Sequence, residues 1–217
     1  MARRNIELPQ EQVELLEKYC QLLWQWNEKL NLTRHTDFDK FVERDLVDSL
    51  AIARYLAEGE TILDVGTGGG VPGIVLAIVR EDLGVVLCES VGKKAKAVAE
   101  ITEGLGINTP VIQGRAEHIL AEQPFDTLVI RAVARMRKLL QWFDPHWSSI
   151  GRLLLLKGPA WVEERGEARH FGLMKKLALR KLTSYPMPGS EGESVLLQIC
   201  RKEKLDSYPT QPVWDMQ

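Results

Sequence analysis

Residues 62–73 read Ile-Leu-Asp-Val-Gly-Thr-Gly-Gly-Gly-Val-Pro-Gly, and this stretch decides the fold. An apolar run ends at Asp64, a cluster of glycines follows, and Pro72 then opens an amphipathic stretch. This order predicts a strand, a tight turn and a helix N-terminus, because glycine permits positive φ and proline suits the first helical position. Such a turn at the carboxyl edge of a parallel sheet is typical of a site for a nucleotide-like ligand.

The spacing of the glycines has to be compared with the pattern of dinucleotide-binding folds. Gly68, Gly70 and Gly73 match Gly-x-Gly-x-x-Gly. The predicted strand ends just before Gly66, however, so Gly66 should be the first glycine of the turn. The sixth position counted from Gly66 is Val71, so the register disfavours a dinucleotide.

The pattern Asp-x-Gly-x-Gly-x-Gly, formed by Asp64, Gly66, Gly68 and Gly70, fits the register better. It resembles the signature of class I methyltransferases that use S-adenosyl-L-methionine (SAM). SAM carries a cationic sulfonium and an amino-acid tail in place of a pyrophosphate, and these groups suit a nearby carboxylate such as Asp64. A turn that serves only chain reversal is the alternative interpretation.

The composition is that of an ordinary globular protein, with 217 residues of which 45% are hydrophobic and 27% charged. This length supports one well-buried domain with additions. Cys20, Cys88 and Cys200 are widely spaced in apolar surroundings, which favours buried free thiols over a zinc site or a disulfide framework. With no signal-peptide pattern and no stretch of membrane-spanning length, we expect a cytoplasmic protein.

The net charge of −2 hides an asymmetry along the chain. Residues 131–181 contain 12 Lys/Arg and 4 Asp/Glu, so this segment carries +8 and the rest of the chain carries −10. Such a distribution can form one basic face on an acidic body, although helical charges are often only solvated. We expect this segment to supply phosphate contacts.

The order of predicted elements is that of a doubly wound α/β domain, a Rossmann-like and mostly parallel sheet with an antiparallel edge. Helices at Pro9–Leu30 and Asp37–Ala57 predict an N-terminal helical extension over residues 1–58. Residues 59–202 form the predicted SAM-binding domain, and residues 203–217 a loosely attached tail. The predicted strands are Thr61–Val65, Val85–Cys88, Pro110–Gln113, Thr127–Ile130, Arg152–Leu156, Leu179–Tyr185 and Val195–Cys200, the last two separated by a loop at Pro186–Ser190. The predicted helices of this domain are Pro72–Arg80, Lys93–Leu105, Ala116–Ala121, Met136–Trp147 and Trp161–Leu177.

Polar residues follow several of these strands, where such a sheet binds its ligand. Glu89 ends the second strand and can accept hydrogen bonds from both ribose hydroxyls of SAM. A backbone amide at Ala116 or Glu117 can bind the adenine edge. Arg131 can engage the SAM carboxylate or a phosphate through two bonds. Lys157 either meets a phosphate or is a solvated strand end.

Two asparagines mark the end of the first predicted helix. Asn27 and Asn31 are i, i+4 neighbours in Trp26-Asn27-Glu28-Lys29-Leu30-Asn31-Leu32-Thr33. Taken alone, they favour a cluster that caps the helix C-terminus, with Trp26 in the core, over a ligand-facing pair.

Several segments together carry a closer resemblance. They are Trp26-Asn27 with Asn31-Leu32-Thr33, Asp48-Ser49-Leu50, the stretch from Asp64 to Ile74, Glu89-Ser90 with Lys93-Lys94, Gly114-Arg115-Ala116-Glu117, Arg131-Ala132-Val133-Ala134 and Lys157-Gly158. In this order and spacing, over roughly residues 8–202, the chain is similar to the small-subunit ribosomal RNA guanine-N7 methyltransferase family, also called glucose-inhibited division protein B.

The resemblance implies a SAM-dependent enzyme that methylates N7 of one guanine in 16S ribosomal RNA, either as free RNA or in a small-subunit particle. We expect it to act as a monomer. The SAM contacts of the family map onto Gly66, Val71, Ala116, Glu117 and Arg131.

The reaction itself sets few chemical demands on the protein. Guanine N7 carries an exposed lone pair, so no general base is required before methyl transfer. The residues that we expect to hold the base and its phosphates are Asn31, Arg131, Arg135 and Lys157, of which Asn31, Arg131 and Lys157 are the predicted catalytic residues.

The chain departs from the family at two positions. Asp45 stands where His is usual, and Ser194 stands where Arg is usual. Both changes are predicted to remove cations that could face RNA. A methyltransferase for another RNA or a small molecule, and a non-catalytic ribosome-associated protein, therefore remain alternatives, with a NAD-dependent oxidoreductase last.

Overall fold

A computed structural model describes residues 6–187 and 192–215 and places a seven-stranded sheet at the centre of the protein. The strands are β1 Thr61–Val65, β2 Gly84–Glu89, β3 Val111–Gln113, β4 Phe125–Arg131, β5 Ile150–Lys157, β6 Leu177–Pro186 and β7 Glu193–Arg201. Their order in the sheet is β3-β2-β1-β4-β5-β7-β6. Strands β1 to β5 run parallel, while β7 is antiparallel to both β5 and β6. The prediction of a mostly parallel sheet with an antiparallel edge is confirmed.

Helices cover both faces of this sheet. They are α1 Gln10–Asn27, α2 Phe38–Lys40, α3 Val47–Ala53, α4 Gly73–Val79, α5 Gly92–Leu105, α6 Ala116–Glu122, α7 Met136–Phe143 and α8 Trp161–His170. Buried apolar residues of α1, α3, α4 and α5 form the core on one face, and those of α6, α7 and α8 form the core on the other. None of the helices in the described ranges is long and apolar enough to cross a membrane.

The N-terminal extension shares the core of the sheet. Tyr19 and Leu23 of α1 are almost completely buried in the same cluster as Ile74 of α4. The Tyr19 hydroxyl also donates a hydrogen bond of 2.9 Å to the carbonyl oxygen of Gly69, in the glycine turn. The extension therefore helps to fix the turn that follows β1.

The second predicted helix is interrupted. Asp37 caps α2 by accepting a hydrogen bond of 2.8 Å from the backbone amide of Lys40, as its sequence position predicts. The chain then widens into a π-helical stretch, Phe41–Leu46, before α3 begins. Wider turns of this kind change the direction of side chains and are frequent at functional sites.

Two other helix ends differ from the prediction. The helix from Trp161 ends at His170, not at Leu177, because Gly172 adopts φ +73° and reverses the chain. The helix from Met136 ends at Phe143, and a 3-10 turn, Asp144–His146, follows with Pro145 near its start. Part of the predicted loop after β6, residues 188–190, lies outside the described residues.

The C-terminal tail is packed against the body of the protein, so the prediction of a loose attachment is wrong for its described part. The backbone amide of Val213 donates to the carbonyl oxygen of Arg54 at 2.7 Å. The Arg54 side chain forms an ion pair of 2.8 Å with Asp215, and the Trp214 ring lies 5.2 Å from the guanidinium of Arg80. Residues 216 and 217 lie outside the described residues.

Candidate active site

The turn after β1 adopts the backbone conformation that its glycines predict. Gly66, Gly68 and Gly70 have φ of +67°, +62° and +105°, in the left-handed region that other residues adopt at a cost. A Cβ atom on Gly66 would lie 2.9 Å from the Val133 side chain, whereas one on Gly68 would meet only a carbonyl oxygen at 3.9 Å. Gly68 therefore leaves open space beside the backbone.

Asp64 lies behind this turn. Its side chain is 1% exposed and accepts hydrogen bonds from the Thr67 hydroxyl at 2.6 Å and the Gly73 amide at 2.9 Å. Burial raises the pKa of Asp64 to about 6, although these two hydrogen bonds oppose the shift. Asp64, which the sequence suggested for cofactor binding, organises the turn and is not among the residues that line the adjoining cavity.

A cavity of about 1170 Å³ opens at the carboxyl ends of β1 and β4. Between these strands the chain order of the sheet reverses direction, and such a point is where open α/β sheets bind ligands. The cavity brings together most of the predicted site residues, namely Asn31, Gly66, Gly68, Val71, Glu89, Arg131 and Lys157.

Glu89 is fixed at the end of β2 by two backbone amides. Its Oε2 accepts from Gly68 at 3.1 Å, and its Oε1 accepts from Val91 at 2.8 Å. A carboxylate offers about four acceptor positions, so one on each oxygen remains for a ligand. This arrangement fits the predicted contact of Glu89 with two ribose hydroxyls.

Ala116 and Glu117 begin α6, just after β3. They do not line the cavity, but the Gly114 amide nearby donates a hydrogen bond of 3.0 Å to the carbonyl oxygen of Glu89. The start of α6 is thus tied to the strand end that carries Glu89. The adenine contact at these two positions stays a prediction.

Arg131 ends β4 and is held by two carboxylates from the π-helical stretch and α3. Its Nη1 lies 2.7 Å from Asp45 Oδ1 and 3.2 Å from Asp48 Oδ2. Burial lowers the pKa of Arg131, but the two carboxylates more than offset this and the net pKa is raised. The Nε and Nη2 groups have no hydrogen-bond partner in the described residues, so one edge of the guanidinium remains for a ligand carboxylate or phosphate.

The network around Arg131 extends to three further side chains. His35 Nδ1 lies 2.8 Å from Asp45 Oδ2, and the Tyr185 hydroxyl donates to Asp48 Oδ1 at 2.7 Å. Burial and the adjacent Asp48 raise the pKa of Tyr185, and Ser194 hydrogen-bonds the same hydroxyl. Sequence reasoning assigned no role to His35, Asp48 or Tyr185.

Both departures from the family lie in this network. Asp45 is 1% exposed and faces Arg131 and His35, so the expectation that position 45 faces RNA is wrong. Ser194 is 5% exposed, lines the cavity and contacts Tyr185. The two positions are far apart in sequence, and only the folded chain shows that they belong to one cluster.

Lys157 lines the cavity but is engaged by the protein. Its Nζ donates to the Ala134 carbonyl oxygen at 2.7 Å and to Glu164 at 2.8 Å. Ala132, which adopts φ +57°, lies in the same loop between β4 and α7, and Glu164 also accepts from the Met136 amide. Lys157 therefore holds this loop in place. Its ammonium group is engaged by the protein, so Lys157 fits neither of its two predicted roles, a phosphate contact or a solvated strand end.

The two asparagines after α1 have different surroundings. Asn27 Oδ1 accepts hydrogen bonds from the Leu32 amide at 2.8 Å and the Thr33 amide at 3.0 Å, so it caps the end of the helix. Asn31 is exposed and lines the cavity. The capping interpretation holds for Asn27, and Asn31 remains the predicted substrate contact.

The basic segment at residues 131–181 carries less free charge than its composition suggests. Seven of its cations form ion pairs with carboxylates, Arg135 among them through Glu163 at 2.7 Å. At the cavity, three cations lie outside this segment and have no ion pair within the described ranges: Arg34, Arg44 and Lys94. Sequence reasoning did not single them out as RNA contacts, because they stand in segments without an excess of positive charge.

Solved structures with the same fold bind SAM or its product. An O-methyltransferase from Bacillus cereus in complex with SAH superimposes with a TM-score of 0.58 at 19% identity, over 93% of this chain and 94% of that chain. The E81Q mutant of MtNAS in complex with S-adenosylmethionine gives a TM-score of 0.55 at 18% identity, over 86% and 72% of the two chains. At these identities the likeness shows the fold, that of class I SAM methyltransferases.

Sequence comparisons identify the family. A family model described as rRNA small subunit methyltransferase G matches residues 12–187. A ribosomal RNA small subunit methyltransferase G from Rhodopirellula baltica is 46% identical over 206 residues, 87% of this chain and 89% of that protein. One from Chromobacterium violaceum is 34% identical over 200 residues, 92% and 93% of the two chains. The chain therefore belongs to the rRNA small subunit methyltransferase G family.

Proposed function

We propose that this protein transfers the methyl group of SAM to N7 of one guanine in small-subunit ribosomal RNA. The observation that carries the proposal is the shared cavity: the glycine turn, Glu89 and Arg131, which fit SAM, line the same space as Asn31 and unpaired cations. In a chain of this family, that arrangement supports a cofactor site with an RNA-facing rim beside it.

The residues at the cavity fit SAM in shape and charge. Gly68 leaves space that a side chain would fill, and Glu89 keeps acceptor positions for a ribose. Asp45 and Asp48 carry one negative charge more than the single guanidinium of Arg131 balances. A ligand with cationic groups and one carboxylate can both offset that excess and bind the free edge of Arg131.

The reaction requires the protein to align the two reactants, and it does not require acid–base catalysis. When bound, SAM supplies an electrophilic methyl group on a cationic sulfur. Guanine N7 attacks with its own lone pair, so no side chain has to remove a proton. The glycine turn and Arg131 fix one reactant, and Asn31 with the rim holds the other. Fixing two reactants in line can contribute several kcal/mol to the rate.

The RNA must present the target base unstacked, because a base inside a stem cannot enter a cavity. Arg34, Arg44 and Lys94 then contact the neighbouring phosphates, so binding weakens as salt rises. We expect the protein to act as a monomer. A ribosomal substrate is consistent with action in the cytoplasm.

The test is methyl transfer from labelled SAM to small-subunit RNA and particles from cells that lack this protein. The product is mapped by cleavage specific for N7-methylguanosine. We expect one modified guanine with the wild-type protein, strongly reduced transfer with Glu89→Ala, and unchanged transfer with His146→Ala, a control in the 3-10 turn before β5. Transfer to neither RNA nor particles, with SAM binding intact, contradicts the proposed substrate.

A further inference from the structure

His35 is held firmly at the cavity. It lies between α1 and α2, and its backbone is fixed on both sides: its amide donates to the Thr33 hydroxyl at 3.0 Å, and its carbonyl oxygen accepts from Trp24 Nε1 at 2.8 Å. Its side chain is 27% exposed and lines the cavity. A histidine on a restrained loop, open to a ligand cavity, is placed to contact a ligand.

Asp45 fixes which ring nitrogen carries the proton when His35 is neutral. The Asp45 carboxylate pairs with Arg131 through Oδ1 at 2.7 Å and contacts His35 Nδ1 through Oδ2 at 2.8 Å. An ionised carboxylate can only accept, so the proton of the neutral imidazole lies on Nδ1. Nε2 then carries a lone pair, and it has no hydrogen-bond partner in the described ranges. A carboxylate on Nδ1 also makes the other nitrogen a stronger acceptor.

His35 and the residues predicted to bind SAM come from different parts of the chain. Gly68 and Glu89 follow strands of the sheet, whereas His35 and Asn31 belong to the N-terminal extension. Arg131 connects the two groups, because one carboxylate, that of Asp45, bridges its guanidinium to the His35 imidazole. The imidazole is thus linked through one carboxylate to Arg131, a residue predicted to bind SAM, and both side chains line the same cavity.

We propose that His35 contacts the guanine that is methylated and selects it against adenine, an inference that rests on the proposed function. Neutral Nε2 accepts a hydrogen bond from guanine N1–H. Adenine presents an unprotonated N1 at that position, so two acceptors would face each other. A site built to hydrogen-bond one substrate group rejects analogues that leave it unpaired.

The same hydrogen bond favours the transition state. As N7 forms a bond to the methyl carbon, the guanine ring gains positive charge and its N1–H becomes a better donor. The contact with Nε2 therefore strengthens during the reaction, which accelerates the chemical step and does more than tighten binding. N1 keeps its proton throughout. Asp45 acts here as a positioning residue, because it touches His35 and Arg131 and not the base.

The test uses small-subunit RNAs in which the mapped target position carries guanine, inosine or 1-methylguanosine. Inosine keeps N1–H, and 1-methylguanosine lacks it. Methyl transfer is measured as kcat and KM for the wild-type protein, His35→Ala, Asp45→Asn and the control His146→Ala. SAM affinity and the thermal midpoint of His35→Ala are measured in parallel. SAM affinity should stay close to wild type, and the thermal midpoint should fall by a few degrees because the buried Asp45 carboxylate loses a hydrogen bond.

We expect His35→Ala to lower kcat/KM about tenfold or more on guanine and inosine RNA, mainly through kcat. Asp45→Asn should show the same loss together with weaker SAM binding, because Asp45 also pairs with Arg131. On 1-methylguanosine RNA the wild-type protein should lose its advantage over His35→Ala. An equal ratio of wild type to His35→Ala on all three RNAs, or no effect of His35→Ala on guanine, overturns this inference alone. A wild-type protein that methylates no RNA overturns the proposed function and the inference with it.

Discussion

An alanine at Gly68 should weaken SAM binding beyond what its effect on stability explains. Gly68 has φ +62°, and its added methyl group would meet only the Gly66 carbonyl oxygen at 3.9 Å. The left-handed conformation costs an alanine roughly 1–2 kcal/mol. In a domain of this size, each kcal/mol lowers the thermal midpoint by about 2–4 °C. Because Gly68 lines the cavity, the methyl group also takes up ligand space.

Gly59 provides the matched control. It has φ +73°, is exposed before β1, and a Cβ atom there would meet nothing within 4 Å. Gly59→Ala should therefore lower the thermal midpoint as much as Gly68→Ala does. Only Gly68→Ala should weaken SAM, by about tenfold to a hundredfold, since crowding a packed contact costs about 1–3 kcal/mol.

Titration calorimetry with SAM and thermal unfolding without it separate the two effects. If Gly68→Ala binds SAM like wild type while both variants lose the same stability, the glycine turn does not contact the cofactor. If Gly59→Ala also weakens SAM, the loss reports general destabilisation and the assignment fails as well.

Three further predictions follow from the same region. Asp64→Asn should gain about 2 kcal/mol of stability relative to wild type as pH rises from 4 to 7, because the Asp64 pKa of about 6 lies above its unfolded value of 3.8 and the folded state binds the proton more tightly. Urea unfolding across this pH range measures the difference, and a difference that stays constant contradicts the prediction. Gly73→Ala should lower the free energy of unfolding by about 1–3 kcal/mol, because the added methyl group overlaps Leu87 and lies 2.6 Å from Asp64. Gly158→Ala, which has open space around it, should change the free energy of unfolding by less than about 0.5 kcal/mol. Equal thermal midpoints of the two variants would refute the packing argument. Glu89→Gln should weaken SAM about tenfold, because an amide cannot accept from two backbone amides and a ribose together; calorimetry showing unchanged affinity would remove Glu89 from the cofactor site.

Local patterns in the sequence were enough to predict the sheet and its glycine turn. Buried parallel strands are short apolar runs, and the turn needs positive φ, which glycine tolerates. Both features can therefore be recognised from a few consecutive residues. The polar residues that end the strands could be assigned to the ligand site, because parallel strands bring their carboxyl ends to the same edge of the sheet. Glu89 and Arg131 line the cavity for this reason.

The partners of these residues could not be predicted in the same way. Arg131 and Asp48 are 83 positions apart, and their contact depends on how α3 packs over the sheet. The π-helical stretch that directs Asp45 inward has no simple sequence pattern. Counting charges along the basic segment also overestimated the number of cations that are available to bind RNA. Ion pairs such as that of Lys157 with Glu164 engage cations that appear free in the sequence.

The two departures from the family, Asp45 and Ser194, are best understood as one local change. Read singly, each removes a cation, which argues for weaker RNA binding. In the folded chain both lie around Arg131, where Asp45 forms an ion pair with Arg131 and a hydrogen bond with His35, and Ser194 hydrogen-bonds Tyr185. A histidine at position 45 of this chain would remove one of the two carboxylates that pair with Arg131 and also the hydrogen-bond partner of His35 Nδ1, so Asp48 alone would balance the guanidinium in the described residues. We therefore expect Asp45, His35 and Arg131 to depend on one another, so that a change at one of these positions alters the contacts of the other two.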